Sequence, residues 1–202
     1  VPPEHHPDWL RMRRLIRHAA ARLAAERGVL RTTPRAITRA ARLPSDAFAA
    51  CYESREALLS DIVLHHLDGL TSWVIAARDA AATETSGDRF EAMIGAFLAS
   101  SLAERNEHRL LLRSADLLPD AERRSVHLRC NGLAALFGDA LTEAAPRSSR
   151  IAVRLASLSL MGALSCAVLW FDPDGNVPIR GYAHMLAAMA VQGARGRVVL
   201  RH

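Results

Sequence analysis

The sequence predicts an all-α protein. Apolar residues recur at three- and four-residue steps in one segment after another, and no stretch alternates apolar and polar residues with period two. Alanine (37 residues) and leucine (28) dominate the 202-residue chain, a usage that fits the codon bias of a GC-rich genome. Half of the residues are apolar, which allows a substantial core and excludes a disordered tail.

Each element follows from local signals. Trp9, Met12, Ile16, Ala19, Ala20, Leu23 and Ala24 form one face of a first helix, with Arg11, Arg14 and Arg22 elsewhere around it and Gly28 as its stop. Thr33 before Pro34 reads as N-cap and first helical residue of a short second helix that runs to about Ala41. Pro44 and Ser45 open a third, over 45–51, anchored by Phe48 and Tyr52. Ser54 caps a long fourth helix whose predicted inner face is Leu59, Ile62, Val63, His66, Leu70, Trp73 and Val74.

Past a turn at 83–87, Phe90, Met93, Ile94, Phe97 and Leu98 mark the fifth helix, and an apolar segment over 108–118 is the expected sixth. Pro119 starts a seventh, with Val126, Cys130, Leu133, Phe137 and Leu141 inward. The eighth, over 148–171, is nearly apolar all round. Asn176 and Pro178 open the ninth, with the stripe Ile179, Tyr182, Leu186, Met189 and Ala190.

Composition narrows the function classes. Cys51, Cys130 and Cys166 are odd in number and widely spaced, which fits a reducing, cytoplasmic setting better than a disulfide framework or a cysteine zinc site. Residues 1–9 are rich in Pro and His with no apolar run behind them, so they read as a flexible leader and not as a signal peptide. The longest charge-free stretch, 155–171, has 17 residues with three serines and a glycine. A bilayer span needs about 20 apolar residues, so a buried helix and no membrane partner are expected.

All 26 basic residues are arginine. Residues 1–55 carry 11 of them against five acids, a net of +6, whereas the remainder of the chain is close to neutral. Such a local cationic field attracts polyanions. A helix, two short helices joined by a tight turn, and a long supporting helix form the layout of a helix-turn-helix module, whose third helix enters the major groove.

Residues 15–59 carry AAERG (24–28), TT-x-R-x-I (32–37), RAA (39–41) and Y-x-S-R-E-A-L (52–58) in that order. Together these resemble the N-terminal domain of the TetR family of bacterial repressors. The resemblance implies two domains, a helix-turn-helix domain over 1–55 and an effector-binding and dimerisation domain over 56–202. It implies contacts to double-stranded operator DNA from Thr33, Arg35, Ser45, Ala47, Cys51 and Arg55. The family's glycine at the tight turn is replaced by Arg42, and its S-K-G-T-L-Y-R-H-F by residues 44–52, Pro-Ser-Asp-Ala-Phe-Ala-Ala-Cys-Tyr. Base reading then falls to Arg35, Ser45 and DNA shape.

The resemblance also implies a homodimer through the last two helices and a small apolar or amphipathic effector. A helix that is apolar all round needs cover on every side, which independently favours a two-fold partner. His66, Trp73, Phe97, Arg113 and Asn131 are the candidate effector contacts. No hydrolase, phosphate-loop or metalloprotease motif occurs, and no metal or other cofactor is expected. The expected function is therefore a DNA-binding regulator released by its effector, not an enzyme. The alternative is a ligand-binding or interaction protein on the same scaffold with degenerate DNA binding.

Overall fold

A computed structural model describes residues 7–196. The leader histidines His5 and His6 lie outside the described residues, as does His202. The described residues contain nine α-helices and no strand: α1 (Pro7–Arg27), α2 (Pro34–Ala40), α3 (Ala47–Cys51), α4 (Arg55–Ala80), α5 (Ser86–Ala103), α6 (Arg105–Ser114), α7 (Asp120–Ala144), α8 (Arg150–Trp170) and α9 (Ile179–Arg195). Side-chain hydroxyls begin four of them, α5 through Thr85 Oγ1, which accepts from the Asp88 amide (3.2 Å). Thr33 Oγ1 accepts from the Ala36 amide (3.3 Å), Ser54 Oγ from Ala57 (3.0 Å) and Ser149 Oγ from Ala152 (3.2 Å).

Two boundaries differ from the sequence prediction. Residues 44–46 form a turn, closed by the Ala47 amide on the Pro44 carbonyl, so α3 has only five residues. The sixth helix starts earlier, at Arg105, and a 3-10 turn over Ala115–Leu117 follows it. It is a strongly amphipathic helix, and Glu107 and His108 lie on its buried side.

The chain forms two compact units. One holds residues up to His66 together with Glu104–Val126, and the other holds Leu67–Ala103 with His127 onward. The sequence suggests a single boundary after residue 55. The first unit instead recruits α6, which packs along α1. Its core is built from Ile16, Leu23, Ile37, Phe48, Leu59, Ile62 and Leu110, all buried.

In the second unit α5, α8 and α9 pack on one another. Phe90, Phe97 and Phe137 are fully buried there, with Phe137 edge-on to both partners at 6.4 and 6.1 Å between ring centroids. One stripe of α8 is buried (Ala152, Val153, Ser157, Leu160, Leu164, Ala167, Val168), whereas Ile151, Leu155, Leu158, Leu169 and Trp170 are exposed. By length and composition α8 is able to cross a bilayer. Met189, expected inward, is 62% exposed, because α9 turns Tyr182, Ala183, Leu186, Ala187 and Ala190 to the core instead.

The tight turn after α2 tests the glycine argument. Arg42 has φ 56°, the single positive φ outside glycine among the described residues. Two backbone bonds close the turn: the Arg42 amide to the Arg39 carbonyl (3.2 Å) and the Leu43 amide to the Thr38 carbonyl (2.9 Å). This is the Schellman pattern, which places a left-handed residue just past the helix end. A side chain there costs about 1 kcal/mol relative to glycine. Arg42→Gly is expected to raise stability by about 1 kcal/mol in urea unfolding, and an unchanged or lowered midpoint would count against strain at this turn.

Candidate nucleic-acid interface

The outward face of α2 and α3 follows from what the two helices must bury. Ile37 and Thr38 of α2, and Ala47 and Phe48 of α3, face the bundle. That leaves Thr33, Arg35, Arg39, Arg42, Ser45, Asp46 and Ala49 exposed. Arg35, Arg39 and Arg42 have no ion-pair partner among the described residues, and Asp46 is the one acid among them on this surface. The Thr33 hydroxyl oxygen is used as the α2 cap, but its proton is free to be donated outward.

Behind this face a polar knot ties α1, α3 and α4 together. The Tyr52 hydroxyl, at the end of α3, donates to Asp61 Oδ2 of α4 at 2.5 Å. Arg13 and Arg17 of α1 reach the same oxygen at 2.8 and 3.1 Å. The Arg13 guanidinium lies 4.7 Å from the Trp9 ring centroid and 4.9 Å from that of Tyr52, so it stacks against both aromatic side chains. Burial alone would raise the Asp61 carboxyl. The Tyr52 hydrogen bond and the two guanidinium groups outweigh it and hold the group below the ordinary carboxylate range. Burial, then the bond to Asp61, pushes the Tyr52 phenol far up, so it stays a donor at all ordinary pH values.

A second polar cluster joins α1, α4 and α6. His66, 1% exposed, has Nδ1 2.7 Å from Glu104 Oε2 and Nε2 2.9 Å from His108 Nδ1. An ionised carboxylate only accepts, so His66 donates from Nδ1, and its Nε2 shares a single proton with His108 Nδ1. The bond from His66 is the main reason that the Glu104 carboxyl lies below its usual range. His18 of α1 pairs in the same way with buried Glu107 at 2.8 Å.

Of the expected DNA contacts, Thr33, Arg35, Ser45 and Arg55 are exposed and Cys51 is half-buried. Arg55 also donates to the Leu30 carbonyl at 3.3 Å, which pins the turn after α1 against the start of α4. Burial raises the Cys51 thiol, so it is neutral and not a reactive thiolate. Ala47 is a correction. It is 3% exposed, because a five-residue helix turns residues 47, 48 and 52 inward, and it is not open to a base edge. The outward position is Ala49, which pattern reading could not choose on so short a helix.

The expected effector contacts fall in different places. His66 belongs to the histidine–glutamate cluster, and Arg113 lines a separate cleft at the end of α1. In the other unit, Phe97 is packed against Phe137 and Asn131 opens on a cleft between α7 and α8. Trp73, expected inward, is 63% exposed, because Leu70 and Val74 take the core side of α4. Among the described residues, no three potential metal ligands are grouped to hold an ion.

The profile described as "Tetracyclin repressor-like, C-terminal domain" matches residues 83–194, more than half of the chain. The chain belongs to the TetR family. No curated protein sequence matches it. Among solved structures, a TetR-family transcriptional regulator from Bordetella parapertussis 12822 is 23% identical with a TM-score of 0.78, covering 93% of this chain and 98% of its own. AibR, solved in complex with isovaleryl coenzyme A and operator DNA, is 21% identical with a TM-score of 0.72 over 88% of this chain and 97% of its own. The superantigen PfiT has the same fold, with 22% identity and a TM-score of 0.71 over 94% and 97%.

In this TetR-family chain, Asp61 is the group whose removal discriminates best. Asp61→Asn is expected to lower stability by about 2 kcal/mol in urea unfolding at neutral pH, because it leaves two guanidinium groups and a buried phenol short of an anion. A depressed folded-state pKa contributes stability above the unfolded carboxyl value of about 3.9, and loses it as pH falls through the lower folded value. The gap between parent and variant should therefore close below about pH 4, and a gap unchanged at acid pH would contradict the knot.

Proposed function

We propose that this chain is a homodimeric repressor that grips an operator half-site with the α2–α3 face of each subunit and is released by a small effector. The observation that carries the reading is the exposed surface bearing Arg35, Arg39 and Arg42 without ion-pair partners among the described residues, on a TetR-family head. Arginines so placed bind phosphates in register, while Arg35 and Ser45 are left for base edges. The exposed apolar face of α8 and α9, with Leu155, Leu158, Met185 and Met189, supports pairing with a second copy. A pair of heads presents two recognition surfaces, which calls for an inverted repeat.

The effector is a small apolar or amphipathic molecule, and the complex of AibR with isovaleryl coenzyme A and operator DNA supports that class. The α7–α8 cleft onto which Asn131 opens, of about 390 Å³, is of a size that takes such ligands. An effector acts only through a difference in its affinity for the two conformations of the dimer. The protein then works in the cytoplasm, without chemistry of its own.

A second reading has one observation behind it. PfiT is named a superantigen, so this fold has also been put to other uses, and here Asp46 and Ala49 stand where a recognition helix offers its outward residues. In vitro selection from fragmented genomic DNA of the source organism separates the two. The repressor reading expects enrichment of one inverted repeat with half-sites about 10 bp apart or a multiple of that. Recovery of no site by ligand-stripped protein would contradict it and favour the interaction protein.

A further inference from the structure

The cleft that holds Arg113 lies wholly within the first unit, between the end of α1 with its following turn and the length of α6. Its volume is about 440 Å³, within the range of small-molecule sites. Four guanidinium groups line it, those of Arg27, Arg31, Arg109 and Arg113, and no Asp or Glu is among the lining residues. Arg27, Arg31 and Arg113 have no ion-pair partner among the described residues. Like charges gathered around one concavity repel one another, and a bound anion reverses the sign of every one of those terms.

Two further observations point to a ligand. Ser114 is among the residues that line the cleft, is 1% exposed, and its hydroxyl has no hydrogen-bond partner. Buried hydroxyls are almost always satisfied, so this one is suited to meet a group from outside. Leu30 and Leu117 stand at the same cleft 77% and 48% exposed, and buried Leu110 lies between the polar groups. Arg27 and Arg113 sit in the last turns of α1 and α6, where a cation also complements the helix dipole. That accounts for two arginines, but not for Arg31, the Ser114 hydroxyl or the bare leucines.

We propose that this cleft is a binding site for a phosphate-bearing amphiphile. The arginines and Ser114 hold the phosphate, and the apolar tail covers Leu30 and Leu117. Guanidinium forks match phosphate oxygens in pairs, and a tetrahedral phosphate uses several at once. The phosphate belongs to a small molecule and not to a duplex, because the cleft sets its arginines beside the bare side chains of Leu30 and Leu117, and a DNA backbone has no apolar tail to cover them. The site stands apart from the α7–α8 cleft and does not depend on the repressor reading. It adjoins the turn that leads into α2, since the Leu30 carbonyl is the one that Arg55 holds.

The test is calorimetric titration of the full chain with octyl phosphate, octanol and inorganic phosphate, alongside anisotropy with a non-specific DNA duplex. The expected result is saturable binding of octyl phosphate at least about tenfold tighter than inorganic phosphate, with no saturable binding of octanol. The double variant Arg27→Gln/Arg113→Gln, both surface positions, should weaken octyl phosphate by about tenfold or more with unchanged thermal unfolding. Ser114→Ala should weaken it severalfold. Octyl phosphate binding no tighter than inorganic phosphate would overturn the proposal, as would a double variant that keeps its affinity. Loss of duplex affinity in the double variant with no octyl phosphate binding in the parent would overturn it too, and would assign these arginines to DNA. None of these outcomes depends on whether an operator exists.

Discussion

One carboxylate holds α1, α3 and α4 of the first unit in shape. Asp61 of α4 takes the Tyr52 hydroxyl that ends α3 and two arginines of α1 on a single oxygen. Five residues of α3 form too short a helix to persist alone, so the position of α3 rests on Phe48 and Tyr52 below it. The same anion keeps Arg13 stacked between Trp9 and Tyr52. Three of the four partners in the knot are charged, and their attraction is present only while the unit is folded. The outward arginines of α2 are thus carried on a base that is fixed from behind, leaving their own side chains unengaged.

A second polar cluster in the first unit is organised by histidines. His66, His108 and His18 are held by Glu104 and Glu107, which brings a helix from far along the sequence, α6, against α1 and α4. The unit that bears the recognition surface is therefore not a separate N-terminal segment. It contains one helix that follows α5 in the chain, and both α4 and α7 continue from it into the second unit.

Much of the fold is legible in the sequence, because its signals are local. Thr33 with Pro34, and Ser54, mark helix starts by chemistry that needs no tertiary partner, and Arg42 stands at the turn where positive φ was expected. The misreadings have a common cause. Trp73 and Met189 sit on helices with more than one apolar face, and periodicity counts apolar residues without telling which face the partner covers. Ala47 stands on the outside by the family resemblance alone, and five residues make too little helix for a stripe to contradict it. The polar clusters are invisible in the sequence for another reason. His66 finds Glu104 across 38 residues, and the arginine cleft draws on segments about eighty residues apart. No spacing rule reaches that far.

The arrangement makes one claim above the others, that the exposed arginines of α2 meet phosphates of a duplex. The direct test is the slope of log affinity against log salt for operator binding, compared between the parent and Arg39→Gln/Arg42→Gln, at the end of α2 and in the turn that follows it. Each phosphate contact contributes about 0.9 to the slope, and a two-fold dimer doubles the effect of each substitution. The account predicts a slope shallower by about 2 to 4 in the double variant, with the folded head intact. A slope that does not change would contradict it, whatever happens to the affinity.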